Sequence, residues 1–114
     1  MTQDGVDASV RQAIGGDPRA MSTMVAQADT SDEVLVITMA ALLEGLPARL
    51  DRAGAVAVTT RDRQVVAIAR AHLEGRNELV DALARDHLAD YPDSLIVSWI
   101  ASAGVARARR SGSS

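Results

Sequence analysis

The two histidines are the side chains of this sequence best suited to chemistry. His72 and His87 lie on two predicted helices that a glycine turn joins, so an antiparallel hairpin could bring them together. Asp90 follows His87 at the i, i+3 spacing that metal ligands use on one helix face. One hypothesis is therefore a ligand- or metal-binding regulatory domain with a site near His72 and His87. The other interpretation places His87 at a helix interface with one ring nitrogen hydrogen-bonded, because it lies on an apolar stripe.

The second half of the chain is also rich in carboxylates, namely Asp81, Asp86, Asp90 and Asp93. Carboxylates buried in pairs can act as general acid and general base. The spacing here favours a solvated helix face with ion pairs to Arg76 and Arg85, and such exposed pairs contribute about 0.2–1 kcal/mol each.

The two aromatic residues, Trp99 and Tyr91, are candidates for contact with a partner. Tryptophan, tyrosine and arginine are enriched among the residues that dominate protein interfaces. A candidate interaction surface therefore comprises Trp99, Tyr91, Arg85 and His87. The competing interpretation makes Trp99 the central core residue of the last helix, because it lies on that helix's apolar stripe.

Charge gives little reason to expect nucleic acid as a partner. The net charge is −3, and a small basic cluster (Arg107, Arg109 and Arg110) lies at the C-terminal end. If the fifth and sixth helices formed a helix-turn-helix, Glu78 and Asp81 would face phosphate, and repulsion argues against that.

The sequence contains no GxSxG, P-loop, GxGxxG, HExxH or EF-hand pattern and no cysteine. Without cysteine there is no disulfide, no thiolate metal site and no cysteine nucleophile. We therefore expect no enzyme activity and no cofactor.

Composition predicts one domain built from small aliphatic residues. The chain has 114 residues, 47% of them apolar, with no Phe. Alanine favours helix and lets helix axes approach. We expect residues 1–106 to form a single helical-repeat domain and residues 107–114 a flexible Arg/Ser-rich tail. The N-terminus has no signal-peptide pattern, and the apolar run 34–43 is too short to span a bilayer, so we expect a cytoplasmic protein with no membrane partner.

Start and stop residues predict about six to seven helices. The predicted ranges are 7–14, 18–28, 33–44, 47–58, 61–74 and 78–90, followed by a last helix that carries Leu95, Ile96, Trp99, Ile100 and Ala103. The predicted N-caps are Asp17, Ser31 or Asp32, Thr59 or Thr60, Asn77 and Asp93. The predicted stops are Gly15-Gly16, Gly45, Gly75 and Pro92.

Three apolar, β-branched segments are compatible with either helix or strand, namely VLVITM (34–39), GAVAV (54–58) and SLIVSWI (94–100). As strands they would give a small α/β domain. Cap and stop residues at helical spacing favour an all-α fold of helical hairpins.

The order of elements repeats at a spacing of about sixty residues. In each half a helix, a glycine turn and a second helix lead into an apolar third helix. The pairs Asp29 and Asp90, Asp32 and Asp93, and Val36 and Val97 are identical in that register. Repeated helix pairs that cannot bury their faces alone are typical of solenoids.

The second half resembles a divergent tetratricopeptide repeat, a helix-turn-helix unit of about 34 residues. Taking Pro92 as the closing proline puts the repeat start at Arg61 and Gly75 at the turn. The runs that carry the resemblance are Arg61-Asp62-Arg63-Gln64, His72-Leu73-Glu74-Gly75 and Asp90-Tyr91-Pro92-Asp93. The chain departs from the pattern at Gln64, where an aromatic is usual, at Ile68, where glycine is usual, and at Val80 and His87, where small residues are usual.

The resemblance implies an α-solenoid type of fold and a protein-interaction role. Our leading hypothesis is therefore a small helical module, an adaptor or complex subunit without catalysis of its own, that binds a protein partner or itself. The apolar run 34–43 adds to this hypothesis, because a small domain can barely cover it.

Overall fold

The computed structural model describes residues 10–102 of the chain, and this range contains seven α-helical segments. Residues 10–14 are helical and are called α1. The others are α2 (Pro18–Ala28), α3 (Val34–Glu44), α4 (Ala48–Val56), α5 (Thr60–Leu73), α6 (Asn77–Asp90) and α7 (Leu95–Ala101). Residues 10–102 contain no strand, so the prediction of an all-α fold of helical hairpins is confirmed. The predicted tail, 107–114, lies outside the described residues.

The three ambiguous segments are all resolved in favour of helix. Residues 34–39 begin α3, residues 95–100 belong to α7, and residues 54–56 end α4 before the chain becomes extended at Ala57. Their β-branched residues have modest helix propensity, which tertiary packing overrides. The α/β alternative is therefore wrong.

Helix α3 forms the centre of the core. Its buried residues point in every direction around the helix axis and are Val34, Val36, Ile37, Thr38, Met39, Ala40, Ala41 and Leu42. A helix that is apolar all round has to be covered all round. Helices α2, α4 and α5 provide that cover. The expectation that this run would be barely covered is therefore wrong. Within residues 10–102 no helix combines the length and the apolarity needed to cross a membrane.

Helices α2 to α7 form two sets of three that meet where α3 packs on α5. Helix α3 contacts α2 and α4, and α5 contacts α6 and α7. Helix α4 connects the two sets and packs against both α3 and α5. Small buried alanines, including Ala53 and Ala69, let these helices approach closely. Helix α6 packs mainly on α5 and α7, so it lies at one edge of the fold.

The two hairpin turns have the same hydrogen-bond pattern. After α1, the Gly16 N–H donates to the Ala13 carbonyl and the Asp17 N–H to the Gln12 carbonyl. After α5, Gly75 and Arg76 make the equivalent pair of bonds to His72 and Ala71. This is the Schellman motif, which needs a left-handed residue, and Gly16 and Gly75 have φ of 91° and 74°. A left-handed glycine also ends α3, where Gly45 has φ of 68° and the Leu46 N–H donates to the Ala41 carbonyl, so this kind of turn is not specific to the predicted repeat.

Two predicted N-caps lie where the sequence places them. The Asp17 carboxylate accepts from the N–H groups of Arg19 and Ala20, and the Thr59 hydroxyl accepts from the Asp62 N–H. The caps of α3, α6 and α7 are instead Glu33, Arg76 and Ser94, and none of these makes a side-chain cap bond.

The misplaced caps have local causes. Ser31 and Asp32, predicted to cap α3, precede its first helical residue by three and two positions, and the Ser31 hydroxyl closes a turn onto the Glu33 N–H at 3.0 Å. Asn77 is already the first residue of α6. Asp93 faces Arg61 instead of capping α7.

Two arginines of α4 attach that helix to the end of α2. The Arg52 guanidinium donates to the carbonyls of Ala28 and Ser31, which the chain leaves unpaired where α2 ends. Arg49 lies 3.0 Å from Asp29 and 2.8 Å from Glu44. The planar fork of arginine suits such a paired contact.

We predict opposite effects for alanine at two glycines. Gly75→Ala should lower the free energy of unfolding by about 1–2 kcal/mol, because an L-residue is strained at positive φ, although a Cβ there would meet nothing within 4 Å. Gly54→Ala, inside α4, should raise it by about 0.5–1 kcal/mol. Urea denaturation of both variants measures the difference. Equal effects would contradict the assignment of Gly75 to the Schellman turn.

We also predict that Thr38→Val stabilises the protein. Thr38 is fully buried in α3, and its hydroxyl has no hydrogen-bond partner among the described residues. Removing a buried unpaired hydroxyl should gain about 1 kcal/mol. Thr23→Val is the matched control, since that exposed hydroxyl donates to the Arg19 carbonyl at 2.8 Å; it should change stability by less than about 0.5 kcal/mol. A loss of stability in Thr38→Val would show that the hydroxyl has a partner.

Candidate functional site

The four residues of the predicted interaction surface separate into two groups. Trp99 and His87 are buried, at 5% and 1% exposure. Tyr91 is half-buried and Arg85 is exposed. Only Arg85 and Tyr91 therefore present side-chain surface that a partner can reach in this arrangement.

Trp99 belongs to the core because of its place on α7. The helix buries Ile96, Val97, Trp99 and Ile100 against α5 and α6 and leaves Ser98 exposed. The competing interpretation of Trp99, as the central core residue of the last helix, is the one that the structure supports. As a surface anchor Trp99 was wrongly predicted, because the apolar stripe faces inward.

His87 is the centre of a buried polar chain that joins α5, α6 and α7. Its Nδ1 lies 2.7 Å from Oε1 of Gln64 on α5, and its Nε2 lies 3.0 Å from Oγ of Ser94 at the start of α7. Gln64 Oε1 can only accept, so Nδ1 carries the proton and Nε2 accepts from the Ser94 hydroxyl. Both ring nitrogens are used, whereas the sequence interpretation expected one.

An outer layer of charged and aromatic groups covers this chain. The Tyr91 ring lies 5.0 Å from the His87 ring, and the Arg61 guanidinium carbon lies 5.1 Å from the centre of the Tyr91 ring. Arg61 also approaches Asp93, with 3.5 Å between Nη2 and Oδ1. Cation–π contact and ion pair together hold Arg61 over the His87 side of the junction.

The environment of His87 favours its neutral form. Burial is the main cause that lowers the pKa of His87 below its ordinary value of 6.5, and the Arg61 cation lowers it further. Asp90 and Asp93 act in the opposite direction. The neutral imidazole is also the form that satisfies both Gln64 and Ser94 without rearrangement.

Ser94, His87 and Gln64 have the connectivity of a nucleophile, a base and an orienting group. Ser94 is only 2% exposed, however, so no carbonyl carbon can reach its hydroxyl in this arrangement. The same three bonds explain a structural role directly, because they hold the first turn of α7 onto the α5–α6 hairpin. We assign them that role.

The hairpin does not bring His72 and His87 together. His87 contacts Gln64, which lies eight residues, or about 12 Å of helix, before His72 on α5. His72 therefore lies near the turn at Gly75, and His87 lies towards the opposite end. Among residues 10–102 no group of three or more histidine or carboxylate side chains is arranged to hold a metal ion.

An open depression of about 210 Å³ lies where α1 meets α2. Its polar lining includes Gln12, Thr23 and Gln27. The carboxylate at its edge, Asp17, is already used to cap α2, and the Thr23 hydroxyl is bonded to a backbone carbonyl. The other polar side chains of the lining, Gln12, Arg19 and Gln27, are exposed, so no buried polar group points into the depression.

The outer face of α6 is defined by its exposed side chains, which are Asn77, Glu78, Asp81, Ala82, Arg85, Asp86, Ala89 and Asp90. The carboxylates of Glu78, Asp81 and Asp86 form no ion pair with any described residue. Arg76, expected to pair with this face, lies 3.8 Å from Glu74 instead. Arg85 likewise forms no ion pair within the described range, so the predicted pairing of this face is wrong.

No protein-family model, no curated protein and no solved structure matches this chain. The resemblance to a tetratricopeptide repeat therefore stays a prediction, and the fold itself provides the arguments about function.

Ser94→Ala should lower the free energy of unfolding by about 1–3 kcal/mol, because it leaves the buried Nε2 of His87 without a donor. Ser98→Ala is the matched control on the same helix, since Ser98 is exposed; it should change stability by less than about 0.5 kcal/mol. Thermal and urea denaturation measure both. If the two variants are equally stable, the Ser94–His87 bond is not what holds α7.

Proposed function

We propose that this chain is a cytoplasmic helical interaction module, without catalysis of its own, that binds a protein with a basic surface through the outer face of α6. The observation that carries the proposal is a set of exposed carboxylates, on a helix at the edge of the fold, that form no ion pair within residues 10–102. The analogy with tetratricopeptide repeats, whose stacked helices present a surface, points the same way but rests on sequence pattern alone.

The geometry of α6 supports a binding role. Its exposed residues recur at i, i+3, i+4 and i+7, so they form one continuous stripe along a helix about 21 Å long. The opposite side, with Val80, Ala84 and His87, is buried against α5 and α7. A partner can therefore lie along the stripe without any rearrangement of the core.

Charge supports a basic protein as the partner. Four acidic residues and one arginine lie on the outer face of α6, and the whole chain has a net charge of −3. Opposite charge steers association and favours the correct partner, and like charge disfavours phosphate-bearing ones. Arg85 and Tyr91 would contribute an arginine and an aromatic ring to the same contact.

The exposed apolar side chains support a transient contact. Leu46 and Val58 are the large hydrophobic residues exposed in the described part of the chain, and they lie in the loops at the two ends of α4. Separate single residues of this kind do not make an apolar patch. A polar, charge-dependent interface is therefore expected, and such interfaces are typical of weak or regulated complexes.

The test is affinity capture from native lysate with two variants of equal net charge. Glu78→Gln, Asp81→Asn and Asp86→Asn together neutralise the outer face of α6. Asp32→Asn, Glu33→Gln and Asp51→Asn together neutralise exposed carboxylates elsewhere, and both variants change the net charge of −3 to zero. We expect a stoichiometric basic partner that the first variant binds about tenfold more weakly, a loss of about 1.4 kcal/mol.

The second variant should bind that partner as tightly as the unmodified protein does. Added salt should weaken the binding of the unmodified protein and of the second variant alike. A partner that both variants retain equally would contradict the assignment of the α6 face. Light scattering that shows a stable homodimer, unaffected by the α6 substitutions, would replace this proposal with self-association through another surface.

A further inference from the structure

We propose that the Gln64–His87–Ser94 chain is a pH-sensitive latch, which holds α7 on the α5–α6 hairpin at neutral pH and loosens it when His87 gains a proton. This proposal goes beyond the interaction role and does not depend on it. It concerns the buried side of α6, where His87 lies, and shares only Asp90 and Tyr91 with the proposed binding face.

The first step of the argument is the direction of the hydrogen bonds. At neutral pH the Ser94 hydroxyl donates to Nε2 of His87, and Nδ1 donates to Gln64. In a protonated imidazole both ring nitrogens carry a hydrogen and neither can accept a hydrogen bond. Nε2 must then donate to Ser94 Oγ. The Ser94 hydroxyl hydrogen would have to turn toward a new acceptor in a site where Ser94 is 2% exposed.

The second step is the charge around the ring. From α5, the Arg61 cation faces the junction and opposes a positive imidazole. From the end of α6 and the loop that follows, Asp90 and Asp93 favour it, and Tyr91 lies against the ring. Helix α7 itself, Leu95–Ala101, contributes no charged side chain. Burial and Arg61 together outweigh the two carboxylates, so the docked imidazole holds its proton less tightly than a solvated one.

The third step is the position of Ser94 in the fold. Ser94 is the N-cap residue of α7, and its hydroxyl contacts His87 instead of capping the helix. Helix α7 has seven residues and packs only on α5 and α6 to an appreciable extent within the described range. A change at Ser94 therefore acts on the first turn of a short helix whose other attachments to α5 and α6 are its four buried apolar side chains.

The direction of the pH effect follows from these contacts. When α7 is released, His87 meets water and titrates near its ordinary value of 6.5, whereas in the docked state its pKa is lower. Above that ordinary value both states are neutral, and pH has no effect through His87. As the pH falls below it, the released state gains a proton first, so docking of α7 weakens with acidification.

Trp99 provides the measurement, because it is the single tryptophan of the chain and lies buried on α7. We expect its emission maximum to move to longer wavelength as the pH is lowered from about 8 to about 5, with a midpoint below 6.5. Far-ultraviolet circular dichroism should keep most of its helical signal over the same range. Loss of both signals together would mean global unfolding and would overturn the proposal of a local latch.

Three variants separate His87 from other titrating groups. His87→Gln cannot titrate and should hold the Trp99 emission constant over this pH range. Arg61→Gln removes the opposing cation, so the docked imidazole should gain its proton more easily; docking should then weaken less on acidification, and the Trp99 midpoint should move to lower pH. Arg63→Gln, an exposed arginine on the same helix, is the matched control and should leave the midpoint unchanged.

A direct titration keeps the proposal testable if His87→Gln does not fold. Proton NMR of the imidazole resonances, assigned with His72→Gln, should give a His87 pKa below its ordinary value of 6.5. A His87 pKa at or above that value, or a midpoint that does not respond to Arg61→Gln, would overturn the latch.

Discussion

The constraint on which the rest of this structure depends is the burial of α3. Eight of its residues are buried and they surround the helix axis, so no side of the helix can face water. Neighbouring helices have to surround it, and α2, α4 and α5 all pack against it. Helix α5 also packs against α6 and α7, so it links the second set of helices to α3. The absence of Phe fits this arrangement, because alanines such as Ala40, Ala41 and Ala69 let helices pack closely around a central one.

An aliphatic core of this kind stabilises the fold but does little to fix how its helices are placed relative to one another. In the second set of helices, the polar chain through His87 fixes that placement. Small apolar side chains can repack at modest cost. A buried imidazole cannot, because each nitrogen left without a partner is costly. Gln64 and Ser94 satisfy His87 from two different helices, which fixes how α5, α6 and α7 sit relative to one another. The same specificity makes the junction sensitive to the protonation state of one ring.

The helices of this protein are largely predictable from sequence because their ends depend on hydrogen bonds and backbone conformations of residues close together in the chain. Two helices begin at predicted N-caps, Asp17 and Thr59, and two end at predicted left-handed glycines, Gly45 and Gly75. The hydrogen bonds at these ends join residues only a few positions apart. Sequence reasoning missed hydrogen bonds between residues far apart in the chain. Arg52 donates to the carbonyls of Ala28 and Ser31, and Gln64 bonds to His87. A signal for the second was present. Gln64 and His87 both depart from the predicted tetratricopeptide pattern, and the structure places Oε1 of one 2.7 Å from Nδ1 of the other. Treating departures as candidate pairs would have found the contact.

The interior and the outer face of α6 differ in whether their polar side chains have partners. Inside, the only fully buried histidine has a partner at each nitrogen, and the buried serine contacts that histidine. On the outer face of α6 the carboxylates of Glu78, Asp81 and Asp86 have no partner among the described residues, and charges arranged in this way favour association with an oppositely charged surface. The interior therefore explains how the fold is held, and the edge helix is where the proposed interaction with a basic partner would take place.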